Sequence, residues 1–433
     1  MTREALTRRY AIHQAMHWMI TGITIPVLVL FFQSRGLNLQ DIGLVMAVWV
    51  GSTAVLEVPL GGIADRYGRK TIYLLSLIIN ILGCCVLLYA SGIGPLLVAA
   101  CFLGASRAIY SGTLDAWFYD SFQLCPAHDP ENSRGMLTFH SAQAYVYVSV
   151  TVGLAAGSVF GGWLPDYMVT SGLEMASVYD ANIVVVIMAN ILLFAITTWL
   201  IIEPGVFNEQ VNHETSALAN TMNIRASVAL IRKAFTHDIV RRLLQTTLVY
   251  GAVLSSVETF WQPYLLGLMQ DSSDNNVAVN NITVFGVIAG LYFLMSALSS
   301  LCSIRLLALM GGSHKTLLFA TRLLSGIALT ALANTSDILF FSVLYLLFFF
   351  FFTLGNSSQS VLFNDNTETR HRSTMLSVSS LMVTCGAVCA SLLFGVVSER
   401  YGISLSWMIC GGGLAVSSVL FVFIPEQREV VTG

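Results

Sequence analysis

The sequence predicts an all-α membrane protein, with twelve transmembrane helices in two pseudo-symmetric bundles of six. Three observations carry that prediction. The 433 residues are 55% hydrophobic and 10% charged, with a mean hydropathy of +0.74, too apolar for an ordinary soluble domain. Apolar runs repeatedly exceed the roughly 18 residues needed to cross a hydrocarbon layer about 30 Å thick. The second half of the chain repeats landmarks of the first in the same order.

The spans fall at roughly 10–32, 41–60, 71–90, 95–120, 135–165, 181–202, 243–269, 281–310, 316–333, 337–362, 375–398 and 405–424. The first is an uncleaved helix, because its apolar run is about twice as long as a signal-peptide core. Residues 203–242 are the one long connection, opening at Glu203-Pro204-Gly205. Within it, Met222 to Lys233 has the mixed apolar and basic pattern of an amphipathic helix lying on the inner leaflet. The domain division that follows is 1–202 and 243–433, each a six-helix bundle, with 203–242 a cytoplasmic linker. Of the 21 Lys and Arg, Arg35 and Arg400 alone lie in connections after odd-numbered spans, and Arg107 lies mid-span. The positive-inside rule then puts both termini in the cytoplasm of a plasma (inner) membrane.

The halves echo each other. Lys70-Thr71 opens span three and Lys315-Thr316 opens span nine. Asp120 ends span four and Asp365 ends span ten, at the same separation along the chain. Arg134 with Met136-Leu137 precedes span five as Arg372 with Met375-Leu376 precedes span eleven. An internal duplication places a binding cavity between the repeats.

The densest charge in the chain is Gly61-Gly62-Ile63-Ala64-Asp65-Arg66-Tyr67-Gly68-Arg69-Lys70, between spans two and three. Hydrocarbon excludes such a stretch, so it forms a tight turn at a membrane surface. Glycine, three residues, aspartate, a basic residue, any residue, then glycine-arginine-lysine is the pattern, and it resembles the signature loop of the major facilitator superfamily. The resemblance extends through the span count and the mid-chain linker to nearly the whole chain. Leu56-Glu57-Val58-Pro59 and Ser111-Gly112-Thr113-Leu114-Asp115-Ala116-Trp117 look like the branch that exports drugs and other small molecules. Two departures stand out. Arg107 and Gly112 are five apart where the family's fourth-span signature has four, and Gly157-Ser158-Val159-Phe160-Gly161-Gly162 lacks the proline of the antiporter signature.

The resemblance implies that Gly61, Asp65, Arg66, Gly68, Arg69 and Lys70 act with Asp120 as a cytoplasmic gate, with Arg69 pairing Asp120 and Asp65 meeting the start of span eleven near Thr374-Met375. Glu57, one turn before Gly61, joins that network; solvated surface charge is the plainer alternative. Charges within the bilayer cost roughly 2.5–3.5 kcal/mol each and face cavities. Arg107, Asp115 and Glu258, with Trp117, Trp261 and Gln262 nearby, are therefore the candidates for proton coupling or substrate binding, against a static interhelical ion pair. Arg107 and Asp115, eight apart on one helix, project to nearly one face. His13, His17, His140 and Arg322 suit either titration or interhelical hydrogen bonds. Trp18, Tyr145, Tyr147, Tyr250 and Tyr264 add aromatic surface for stacking, or ordinary packing.

Gly153, Gly157 and Gly161, at four-residue spacing, with Gly162, allow close helix approach. Seven of the eight cysteines sit in apolar runs and none pairs in an outer loop, which argues against disulfides. No Walker loop, metal-ligand spacing or catalytic triad is present in the sequence, so no cofactor, metal or enzyme activity is expected. The expectation is a monomeric secondary transporter whose partners are a small-molecule substrate, protons and the lipid bilayer, not nucleic acid. It points to proton-coupled efflux of an amphipathic compound. The rivals are proton-coupled uptake of a nutrient or metal chelate, and a sensor or scaffold that does not transport.

Overall fold

The computed structural model describes residues 2–60, 63–125, 137–172, 177–201, 237–272, 281–367 and 372–425. Among them the chain is all helix, sixteen segments in order. They are α1 (Arg3–Thr24), α2 (Leu28–Ser34), α3 (Leu39–Leu60), α4 (Ile63–Tyr67), α5 (Arg69–Tyr89), α6 (Ile93–Tyr110), α7 (Thr113–Leu124) and α8 (Phe139–Thr170). Then follow α9 (Asp180–Leu200), α10 (Asp238–Ser272), α11 (Thr283–Leu309), α12 (His314–Leu332), α13 (Ile338–Leu354), α14 (Asn356–Asp365), α15 (Arg372–Tyr401) and α16 (Ile403–Val422). Helix dominates because a lipid-embedded backbone must satisfy its own hydrogen bonds. Eleven helices, counted across the breaks, are long and apolar enough to cross a membrane. The remaining long one is α10, 35 residues, opening on Asp238 with Arg241 and Arg242 just behind it. The linker helix expected at 222–233 lies outside the described residues.

Three of the expected spans are broken. Pro26 follows α1, where its ring removes a donor and interrupts the ladder. The fourth span stops at Ser111, and Gly112 takes the left-handed conformation at φ 70° before α7 restarts. Span ten breaks in the matching place, at Gly355 between α13 and α14.

The described chain gathers into two compact units. Unit 1 comprises Met1–Gly36, Ser52–Ala219 and Asn280–Phe293, and unit 2 comprises Leu37–Gly51, Asn220–Val279 and Leu294–Gly433. In unit 1, α1 packs along α8, α5 along α6 and α9, and α1 also meets α9. In unit 2, α10 packs along α15, α12 along α13 and α16, and α10 also meets α16. These are the same pairings shifted by six spans, as a duplicated unit requires. Glycine makes the closest pairing possible in each. A Cβ at Gly153, Gly157 or Gly161 would overlap the α1 carbonyls of Ala15, Met19 and Ile23 in turn. Gly251 and Gly386 sit against the carbonyls of Val383 and Leu248 in the α10–α15 pair. The unit 2 interior is aromatic: Phe341, Tyr345, Phe348, Phe349 and Trp407 are all essentially covered.

Candidate functional site

Among the described residues, one cluster of polar side chains in each unit is built on a titratable or charged group close to sequence candidates. In unit 1 the centre is Tyr10, on α1, whose aromatic body stacks on Phe118 at 4.4 Å. Its phenol donates to Asp115 Oδ1 at 2.7 Å, while Gln14, one turn along, donates to the phenol oxygen at 2.9 Å. Trp117 is buried with its ring 5.9 Å from Tyr10. One further turn along α1, His17 Nδ1 shares a hydrogen bond with the Tyr73 hydroxyl at 2.9 Å, and Tyr110 lies 4.8 Å from its ring. His13, fully covered, pairs with Thr197. Asp115 itself is exposed, so its carboxylate keeps access to solvent or solute.

The unit 2 cluster is built around Arg322 of α12, 2% exposed. Its guanidinium donates to the Phe352 carbonyl, to Asn356 Oδ1 at 3.0 Å and to Gln359 Oε1 at 2.9 Å. It also lies over the Tyr250 ring at 4.7 Å. Each amide then spends its nitrogen outward, Asn356 to the Tyr250 hydroxyl at 3.1 Å and Gln359 to Thr247 at 2.8 Å. The break at Gly355 starts α14 where both amides reach one cation. A cavity of about 150 Å³ opens beside them, lined by Thr247, Tyr250, Asn356, Gln359, Ser360 and Ser379 among others. An arginine cannot shed its proton, so this buried charge must be held by several acceptors. The cavity is therefore lined by neutral polar groups and ring faces, not by a free charge.

The candidates from the sequence fall as follows. Arg107 and Asp115 do not share one helix: the break at Gly112 puts Arg107 at the end of α6 and Asp115 in the first turn of α7. The shared-face reasoning fails because it assumed an unbroken helix. Arg107 and Glu258 are both exposed, so neither is a carboxylate or guanidinium buried in protein. Trp261 is covered and stacks at 5.4 Å on Tyr345, and Gln262 is covered too. Tyr145 and Tyr147 are more than half exposed. Around the 61–70 turn, Arg69 forms an ion pair with Asp120, Lys70 donates to the Thr198 carbonyl at 2.6 Å, and Ser111 donates to Glu57 at 3.3 Å. Gly68 joins α4 to α5 at φ 90°. Arg66 is exposed, with its guanidinium 5.5 Å from the Tyr67 ring. Gly61 and the side chains of Asp65 and Thr374 lie outside the described residues. Tyr10, Asn356 and Gln359 were not singled out by sequence; two amides a few residues apart in an otherwise apolar run were the available signal.

The model of the Major Facilitator Superfamily matches residues 11–276 and again 268–432. The chain belongs to that family. It is a multi-pass membrane transporter by this membership. YxaM of Bacillus subtilis (strain 168), an uncharacterized MFS-type transporter, is 21% identical over 441 residues, covering 96% of this chain and 95% of its own. An uncharacterized MFS-type transporter of Enterobacter sp. (strain 638) is 31% identical over 98 residues, 23% of this chain and 25% of that one. Among solved structures, the nucleoside transporter NupG superposes with TM-score 0.76 at 16% identity, covering 96% of this chain and 98% of its own. A bacterial homolog of the human lysosomal transporter Spinster, inward-facing and occupied, gives 0.71 at 16%, covering 97% and 96%. At these identities the likeness is of fold alone.

Proposed function

We propose that this transporter carries a small, polar, ring-containing organic solute across a bacterial inner membrane by alternating access, coupled to protons. The observation that carries the reading is the Arg322 cluster, where a buried guanidinium holds two amides, one of them bonded to the Tyr250 phenol, in the wall of a cavity in unit 2. Neutral donors and acceptors beside a ring face suit a hydroxylated or heterocyclic solute better than a greasy cation. That chemistry favours uptake of a nutrient. The fold neighbour named as a nucleoside transporter is consistent with it. Asp115 takes the proton: an exposed carboxylate held by one phenol can exchange a proton and rebuild its hydrogen bond afterwards. Glu258, exposed on α10, is the second acid of the cycle. The halves 1–202 and 243–433 rock about the site, both termini cytoplasmic, and the Arg69–Asp120 pair with the 61–70 turn gates the inner side.

A second reading, efflux, is favoured by Leu56 to Pro59 and by Ser111 to Trp117, which look like the exporting branch. Proteoliposomes separate the two. With labelled nucleosides and related heterocycles outside, an acidic exterior should drive inward accumulation several-fold above the uncoupled level. Accumulation driven instead by an acidic interior supports efflux, and no gradient response in either direction overturns proton coupling.

A further inference from the structure

One residue sets the direction of the hydrogen bonds in the cavity wall of unit 2. Arg322 can only donate, so the amide atoms facing it, at 3.0 Å on Asn356 and 2.9 Å on Gln359, are oxygens. Each amide must then use its nitrogen elsewhere. Asn356 gives a hydrogen to the Tyr250 hydroxyl at 3.1 Å, and Gln359 gives one to Thr247 at 2.8 Å. Thr247 passes the direction on by donating to the Leu243 carbonyl at 2.8 Å, so that branch ends inside the protein. The Tyr250 branch stays open. Its oxygen accepts from Asn356, and no acceptor for its own hydrogen stands among the described residues.

Other interior phenols place that hydrogen. Tyr10 gives its own to Asp115 at 2.7 Å, and Tyr264 to the Thr335 carbonyl at 3.0 Å. A phenol donor left unused away from water is costly. The Tyr250 hydroxyl has little freedom to seek a partner, because its ring stacks on Phe352 at 4.3 Å and lies under the Arg322 guanidinium. The amide nitrogens of Asn356 and Gln359 each keep a second hydrogen, again with no acceptor among the described residues. Three donors of fixed direction therefore stand in the wall, whereas the hydroxyls of Ser360 and Ser379 can rotate to suit a solute. The acceptors of Arg322 are all neutral, so its charge adds a positive potential to the same wall. Donors and potential together select the negative end of a dipole. At about 150 Å³ the cavity matches one that holds benzene, which is room for a single six-membered ring.

We propose that the solute enters this cavity by a ring edge that accepts hydrogen bonds, a ring carbonyl or an unprotonated ring nitrogen, and that Tyr250 recognises it by donating its phenol hydrogen. The proposal rests on the reading of this cavity as a solute site, and adds the polarity of the group that the site takes. Binding is measured by saturation-transfer NMR on the full chain in lipid nanodiscs, with empty nanodiscs subtracted. The probes are pyrimidine and N-methylpyridone, which only accept, and pyrrole, which only donates. Wild type should bind both acceptors roughly 10-fold more tightly than pyrrole. Tyr250→Phe keeps the ring and should weaken the acceptors by roughly 3- to 10-fold, with pyrrole unchanged. Asn356→Asp should do the same, because a carboxylate facing Arg322 has no hydrogen to give and captures that of Tyr250, as Asp115 captures that of Tyr10. Pyrrole binding as tightly as pyrimidine, no binding of any probe, or equal weakening of all three in Tyr250→Phe each overturns the proposal. If neither variant accumulates, the wild-type ranking decides. No gradient enters this test, so it stands apart from proton coupling and direction. Gradient-driven accumulation that survives Tyr250→Phe unaltered would keep the transport reading and remove this one.

Discussion

The Tyr10 cluster of unit 1 and the Arg322 cluster of unit 2 hold their ions in opposite ways. In unit 2 the ion is Arg322, wholly covered and held by a carbonyl, two amides and two ring faces. In the Tyr10 cluster of unit 1 the ion is Asp115, exposed, with a phenol donating to one oxygen. A permanent cation needs a complete shell because it has no neutral form to fall back on. A carboxylate does have one, and can be left half-held. Under the proposed function, this difference gives the arginine an architectural part and the acid the proton exchange.

Removing Arg322 should have the largest effect. Arg322→Met keeps the volume but leaves the Phe352 carbonyl, Asn356 and Gln359 without their donor. The expected loss is about 3 kcal/mol or more, read from thermal melting of the purified protein. Arg322→Lys should recover part of it, because an ammonium reaches some of the acceptors but cannot fork between them. Wild-type melting in Arg322→Met with solute binding abolished would reverse the comparison and make Arg322 a ligand group.

Next come the glycine contacts, where the units should behave alike. Gly157→Val would drive a side chain into the Met19 carbonyl, and Gly386→Val into that of Leu248. Each should cost roughly 1–3 kcal/mol of stability by the same melting assay. A large cost in one and none in the other would mean that the two repeats are not held by equivalent contacts.

Gly153, Gly157 and Gly161 could be read in advance because spacing of four is itself the geometry of a helix face, whereas Gly251 and Gly386 stand in no such series. The helices were legible for a similar reason: lipid favours helix in a long apolar run, so each expected span corresponds to helix in the fold, three of them interrupted and the first starting at Arg3, about seven residues early. What sequence hid was interruption and reach. Gly112 looks like any loop-forming residue, yet it ends the helix that was to carry Arg107 and Asp115 on one face. Asn356 and Gln359 are neutral, so a search keyed to charge in the membrane passes over them. Asp166 and Glu399 sit at span ends, where acids are ordinary, and only the fold brings each to a helix remote in sequence.

Asp115 tests the other side of the comparison. Asp115→Asn should change stability by less than about 1 kcal/mol, as an exposed isosteric replacement. In proteoliposomes it should abolish the dependence of uptake on the pH gradient while solute-for-solute exchange continues. Tyr10→Phe, which keeps the ring on Phe118 but loses the donor, should weaken coupling less. If Asp115→Asn instead melts early and remains coupled, the carboxylate is architectural and the two units differ less than proposed.

The smallest effect belongs to Arg69 and Asp120, where both partners are covered by only about three quarters, with side-chain exposures of 20% and 28%. Water screens such a pair, so a double-mutant cycle with Arg69→Gln and Asp120→Asn should give a coupling energy of about 0.2–1 kcal/mol in melting. Its weight should appear in conformation. If the pair gates the inner side, either single variant should raise thiol labelling of a cysteine placed at Tyr119, which is 47% exposed beside Asp120, and addition of solute should alter that labelling. A coupling energy above roughly 3 kcal/mol would put the pair in the class of Arg322, a fixed element of the fold. A weak coupling with unaltered labelling would make it a solvated surface contact and return the inner gate to other residues of the 61–70 turn.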